Sequence, residues 1–202
     1  MRSVCIHSSA KLDLDTFLRE LDVPFQFEFE GYDGERSYYY FTRPEISTTM
    51  FVIAEGPDEY EVMIDGLASY SDYKFFPYLL DCLSQHLNHT TLTFPDAAGQ
   101  TVYRIYDEAW IEDAIGEEIA MLKSALSVFP RYYVGLPLEG TPYLSLALLA
   151  QYGVNLHSST PRIYGYVQYI MRSWKKIVGG KKWRQKSMYL SMFPLDELSR
   201  GR

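Results

Sequence analysis

Cysteine, long apolar runs and targeting signals are scarce or missing in this sequence. The two cysteines, Cys5 and Cys82, are far apart and form no CxxC pair, so a disulfide scaffold is not indicated and a reducing compartment is favoured. The longest apolar run, residues 146–150, is far shorter than the ~20 residues of a membrane-spanning helix. The N-terminus also lacks the apolar stretch of a secretory signal. We therefore expect a cytoplasmic protein without a membrane partner.

Catalytic motifs are missing as well. There is no GxGxxG and no GxxxxGK[ST], so nothing indicates a nucleotide-binding loop. Two SxxK matches lack the Ser-Asp-Asn and Lys-Thr-Gly motifs that would give them a meaning. No residue set requires a cofactor, and we expect none. The sequence favours a protein that is not an enzyme. An enzyme whose Cys, His and acidic residues meet only in the folded chain is kept as an alternative.

Aromatic residues and negative charge are what the sequence has in abundance. Of 202 residues, 47% are hydrophobic and 16% aromatic, including 18 Tyr, and the formal net charge is −7. This hydrophobic fraction is that of a globular protein. Residues 1–161 hold 9 Lys and Arg against 24 Asp and Glu, whereas residues 162–202 hold 10 against 2. Such asymmetry indicates a charged partner, or a basic tail that covers the acidic body of its own protein.

Hydrophobic periodicity predicts a single α+β domain over residues 1–202. Strands are predicted at residues 3–7, 25–30, 37–42, 48–54, 60–67 and 101–106, and helices at residues 12–21, 71–87, 107–129, 142–152 and 161–178. We expect an antiparallel sheet, a meander of about four strands plus one or two more, concentrated in residues 1–70. About five helices, concentrated in residues 71–178, should cover it. The basic segment 172–193 is expected to pack on this domain.

A protein-binding surface is the leading functional hypothesis. The segment FQFEFE (25–30) alternates apolar and polar side chains, which predicts a strand with one wet face. The candidate partner-binding residues on and beside that face are Glu28, Glu30, Tyr38, Tyr39 and Tyr40. Acids would steer a basic partner and Tyr would anchor it. In composition, though in no motif, the chain resembles toxin-neutralising immunity proteins. We therefore expect a non-enzymatic, bacterial-type binding protein, such as an inhibitor or immunity-like protein.

Nucleic-acid association through the basic C-terminal segment is the alternative. Its candidate residues are Arg172, Lys175, Lys176, Lys181, Lys182, Arg184 and Lys186, with Trp174 and Trp183 among them. Clustered cations with aromatics suit phosphates and stacked bases. Trp174, however, falls on the predicted core face of its helix, and the acidic body would repel phosphate at low salt. A structural role, in which the segment covers the acidic body, is therefore weighed against it.

One metal pattern and one acidic cluster complete the candidates. Cys82, His86 and His89 are spaced by four and three, which places them on one side of a helix with ligand types that suit Zn²⁺. The simpler interpretation is a core Cys and two His near a helix C-terminus. The next helix carries the acidic cluster Glu112, Asp113, Glu117 and Glu118. Without an ExxH motif, they are predicted to form a solvated helix face.

Overall fold

The computed structural model describes residues 2–88, 92–93, 107–133 and 143–178. Its strands are β1 (Arg2–His7), β2 (Gln26–Tyr32), β3 (Ser37–Thr42), β4 (Phe51–Glu55), β5 (Glu59–Ile64), β6 (Leu92–Thr93), β7 (Tyr132–Tyr133) and β8 (Tyr143–Leu144). Its helices are α1 (Leu14–Glu20), α2 (Tyr70–His86), α3 (Glu108–Val128), α4 (Leu146–Ala150) and α5 (Thr160–Val178). The predicted α+β class is confirmed.

Six of the strands form one antiparallel sheet with the order β2-β3-β4-β5-β1-β6. The meander predicted from the turn signals runs through β2, β3, β4 and β5, and β1 joins it beside β5. β6 is absent from the strands predicted from the sequence, because a two-residue strand has too few residues to show a periodicity. The predicted strand at residues 101–106 lies outside the described residues. β7 and β8 form a separate two-stranded ribbon.

The two faces of the sheet bury different residues. Phe41, Ile53 and Val62 belong to the main core, which packs against residues from all five helices. Their neighbours along the strands point the other way, as the two-residue period requires. Tyr40, Val52, Ala54 and Met63 therefore form a second, smaller apolar cluster on the opposite face. Adjacent residues of β3 consequently have unrelated surroundings.

Several helix starts differ from the sequence prediction. The first is that of α1, which begins at Leu14 and not at residue 12, with Asp13 as its N-cap. The helix predicted at residues 71–87 begins one residue earlier, because the N-cap is Ser69, and Asp72 completes a capping box with it. We also predicted a helix over residues 142–152, but α4 begins only after Ser145, because Tyr143–Leu144 pairs with β7. The predicted start at residue 107 agrees with the structure, in which Asp107 is the N-cap of α3. Helix α4 ends at Ala150, two residues before the predicted end, and Gly153 follows with a φ of +68°.

The described helices also bear on the membrane question. None of them is both long enough and apolar enough to cross a bilayer.

Candidate functional site

The five predicted partner-binding residues share the β2–β3 hairpin but not one surface. Tyr39 is buried on the helix-covered face of the sheet, whereas Tyr40 is buried on the opposite face. Tyr38 is half-buried, and Glu30 is exposed. Because side chains alternate along a strand, Tyr39 faces the helices, and its neighbours Tyr38 and Tyr40 face the other way. The exposed part of the predicted surface is therefore smaller than the sequence indicates.

A β-bulge in β2 explains where the glutamates lie. Phe27 pairs with Phe41 but Phe29 pairs with Tyr40, so one extra residue is inserted between them. After the bulge, Glu30 stands opposite Tyr39. The strict alternation predicted for residues 25–30 is thus wrong past Phe27. Glu28 sits at the bulge, half-buried, and its carboxylate accepts a hydrogen bond from the hydroxyl of Thr42.

The hairpin turn is held in one shape by its own side chains. Oδ1 of Asp33 accepts hydrogen bonds from the backbone N–H groups of Glu35 and Arg36, both at 2.9 Å, and Oδ2 accepts one from the Tyr38 hydroxyl at 2.7 Å. These bonds lower the pKa of the Asp33 carboxyl. Burial and the bond to Asp33 together raise the pKa of Tyr38 to about 12. Asp33 is therefore ionised and fixed at neutral pH.

Tyr32 extends this turn and was missed at the sequence level. Its hydroxyl donates to the Gly34 carbonyl at 2.8 Å, which fixes a ring that is 65% exposed. Tyr32 lies two residues after Glu30 on the same strand, and that spacing was the signal available. We call Glu30, Tyr32, Asp33 and Glu35 the acidic hairpin surface.

The acids of the acidic hairpin surface are only partly neutralised by described residues. The charge of Arg36 contributes to lowering the pKa of Asp33, but its guanidinium pairs with Glu59 and lies 3.2 Å from Glu61. Within the part of the chain that the structure describes, Glu30, Asp33 and Glu35 form no ion pair. The surface therefore keeps a local negative potential that can attract a cationic partner.

Behind the hairpin, Glu55 binds Tyr39 internally. The hydroxyls of Tyr39 and Tyr60 each lie 2.8 Å from a different carboxylate oxygen of Glu55, and Lys11 Nζ is 3.4 Å away. Burial alone would raise the pKa of Glu55, but the two hydroxyls and Lys11 hold it below its ordinary value. Tyr39 thus has a structural partner for its polar end.

A second polar cluster surrounds Leu67, and all of its members are buried except Tyr164, which is half-buried. Oε2 of Glu118 accepts a hydrogen bond from the Leu67 N–H at 2.6 Å, and Gln168 Nε2 donates to the Leu67 carbonyl at 2.7 Å. Tyr164 donates to the neighbouring Ala68 carbonyl at 2.7 Å. Leu67 itself has a φ of +61°, a left-handed conformation that L-residues avoid. Side chains from α3 and α5 therefore hold a strained loop in place.

Glu118 is the unexpected member of this cluster. We predicted it on a solvated helix face, but it is only 8% exposed. Burial raises the pKa of its carboxyl, although the Leu67 N–H and the Tyr73 hydroxyl, which is directed towards it, act in the opposite sense. Among the described residues, Oε1 of Glu118 and the Tyr73 hydroxyl have no hydrogen bond of good geometry. These two buried polar atoms therefore lie in the apolar core without a well-formed hydrogen bond to the described residues.

The sequence signal for Glu118 lies in the α3 apolar stripe. Position 118 falls seven residues after Ile111 and four before Leu122, both buried in the core. It therefore belongs to the stripe by helical spacing, and not to the solvated face shared by Glu112, Asp113 and Glu117, which are exposed.

The candidate metal ligands Cys82 and His86 have other partners in the structure. His86 ends α2, with its Nδ1 2.6 Å from Glu20 Oε2 and its ring edge against Phe17. No group of three side chains able to bind a metal occurs among the described residues, and His89 lies outside them. Cys82 is half-buried beside Tyr78 on the same helix.

The nucleic-acid candidates are only partly described. Arg172 is exposed on α5. The side chains of Lys175 and Lys176, and all of Lys181, Lys182, Arg184 and Lys186, lie outside the described part of the chain. The expected packing of segment 172–193 therefore stays a prediction.

Comparison with known proteins adds no family to this geometry. No family model matches the chain, and no match is found among the curated proteins or the solved structures.

Proposed function

We propose that this protein is a non-enzymatic binding module whose acidic hairpin surface binds a basic partner protein. The observation that supports it is a group of acids that form no ion pair with described residues, next to an exposed ring. Both lie on a turn that five hydrogen bonds between its own residues hold in place. A fixed turn loses little conformational entropy on binding, which leaves more of the interaction energy for affinity. The acids would accelerate association, and Tyr32 would supply buried contact area.

The same surface agrees with an inhibitor or immunity-like role. Proteins of that kind bind one partner tightly through a rigid, charged patch, and the hairpin offers such a patch without a catalytic group. We propose the cytoplasm as its location. Supporting this, the two cysteines are not joined in a disulfide.

Charge reversal tests the proposal. Tagged wild-type protein is used to capture partners, and each partner is then measured for association rate at several salt concentrations. The test variant carries Glu30→Lys and Glu35→Lys. The matched control carries Glu112→Lys and Asp113→Lys, two exposed acids on α3, and changes the net charge equally.

The two variants separate local from general attraction. We expect the hairpin variant to lose the partner, with a slower association rate and a flatter salt dependence, while the control binds like wild type. Equal effects in both variants would show that only net charge matters. Unchanged association in the hairpin variant would rule out this surface.

A further inference from the structure

A cluster of three tyrosine rings, two of them exposed and Tyr166 half-buried, lies far along the chain from the hairpin. Tyr166 and Tyr169 are neighbours on α5, and Tyr152, from the loop before it, contacts both, with ring centroids 5.3 and 5.6 Å apart. Tyr169 is 55% exposed and Tyr152 37%. Three aromatic rings gathered at the surface leave ring faces and edges open to a ligand.

Arginines flank this cluster on the same side of α5. Arg162 lies one turn before Tyr166, and its Nη2 donates to the Gly153 carbonyl at 3.0 Å, which holds the guanidinium beside the loop that carries Tyr152. Arg172 lies three residues after Tyr169, so it shares the exposed face. Ten residues of helix place the two arginines about 15 Å apart. A short stretch of a polyanion can therefore contact both.

The surrounding sequence is free of acids. Residues 143–178 contain no Asp or Glu, although the whole chain has 26. This described stretch includes α4, the following loop and all of α5, so neither the Tyr cluster nor its arginines have a carboxylate within their own segment. In a protein of net charge −7, this is the part of the described chain best suited to an anion.

We propose that the exposed face of α5 binds single-stranded nucleic acid, with bases stacked on Tyr152 and Tyr169 and phosphates bound by Arg162 and Arg172. Cations beside open aromatic rings are the combination that such strands require. A simple polyanion would use the arginines but not the rings, and a basic protein would be repelled. This surface is separate from the acidic hairpin surface, and either proposal can fail alone.

Fluorescence anisotropy with a short labelled oligothymidylate tests this site on the full-length protein. Binding should weaken steeply as salt rises. Tyr169→Ala should weaken it roughly 5- to 150-fold, the range for loss of one stacked base, whereas Tyr169→Phe should bind like wild type. Arg172→Gln should reduce the slope of log affinity against log salt by about 0.7. The controls are Tyr133→Ala and Arg19→Gln, an exposed ring and an exposed cation elsewhere.

Several outcomes would overturn the proposal. The first is that the oligothymidylate does not bind at low salt. The second is that Tyr169→Ala leaves binding unchanged and heparin competes fully, because the protein would then attract any polyanion. Binding that persists in Tyr169→Ala and Arg172→Gln, but is lost when Lys181, Lys182 and Arg184 are changed to Gln, would assign the activity to the C-terminal segment instead. Circular dichroism of each variant separates loss of binding from loss of fold.

Discussion

Replacing Glu118 tests whether its buried carboxylate supports the strained loop at Leu67. Glu118→Gln keeps an oxygen that can accept the Leu67 N–H bond and removes the charge. Glu118→Ala removes the acceptor. Leaving a buried N–H unpaired costs about 1–3 kcal/mol, and a lost buried methylene costs about 0.8 kcal/mol. The free energy of unfolding should therefore be about 2–4 kcal/mol lower for the Ala variant than for the Gln variant.

The difference in the free energy of unfolding between wild type and Glu118→Gln should depend on pH. Burial raises the pKa of Glu118 in the folded protein above its unfolded value, so the folded state binds the proton more tightly. Ionisation therefore destabilises the fold, and stability is lost as pH rises from the unfolded pKa through the folded pKa. The pKa of Asp65 is raised by burial as well, but Asp65 is present in both proteins and cancels in their difference.

Urea unfolding of the three proteins, followed by circular dichroism from pH 4 to pH 8, measures these terms. Glu118→Gln should be at least as stable as wild type at neutral pH, and its advantage should shrink towards acidic pH. An advantage that grows as pH falls would refute the burial argument. Equal stability of the Gln and Ala variants would show that the Leu67 bond contributes nothing.

Two further substitutions test the loops that position the sheet. Glu45→Gly should raise the free energy of unfolding by about 0.5–1 kcal/mol, because Glu45 has a φ of +62°. Glycine removes a strain of about 1–2 kcal/mol in the folded protein, although the greater freedom of the unfolded chain cancels part of that gain. Glu45→Ala should not stabilise the protein. Asp72→Asn should lower the free energy of unfolding by about 1–3 kcal/mol. The buried carboxylate accepts four hydrogen bonds, from Ser47, Thr48 and twice from Ser69. The Asn oxygen can still accept the three bonds made to Oδ2, but the buried Ser47 hydroxyl loses its acceptor. Urea unfolding checks both, and Ser71→Ala, at an exposed position, is the control for the second.

The sheet could be predicted because its strands carry their own signals. β3 was predicted at its observed bounds from a run of aromatic residues between a turn and a proline. The meander follows from short connections between consecutive strands, and the long helices follow from their apolar stripes and caps. By contrast, β6, β7 and β8 are two residues each. Their pairing depends on partners brought close by the rest of the fold.

The candidate site was predicted less well because its geometry depends on register. A bulge at Glu28 cannot be read from alternation, yet it decides which residue stands opposite Tyr39. The sequence places Tyr38, Tyr39 and Tyr40 side by side, but only the pleat decides which face each one takes. Glu118 illustrates the reverse error: its helical spacing placed it in the apolar stripe, and its charge led us to the wrong face.

Polar contacts, and not apolar packing alone, fix how α5 presents its outer face. A helix with an apolar stripe can rotate or slide by small amounts with little change in buried area, since the hydrophobic effect is non-directional. Hydrogen bonds are directional, and Tyr164 and Gln168 bind two successive carbonyls, those of Ala68 and Leu67. Glu118 fixes the same loop from α3. These directional bonds therefore fix the rotation of α5 about its axis. A surface on which bases stack on tyrosine rings requires such a fixed orientation.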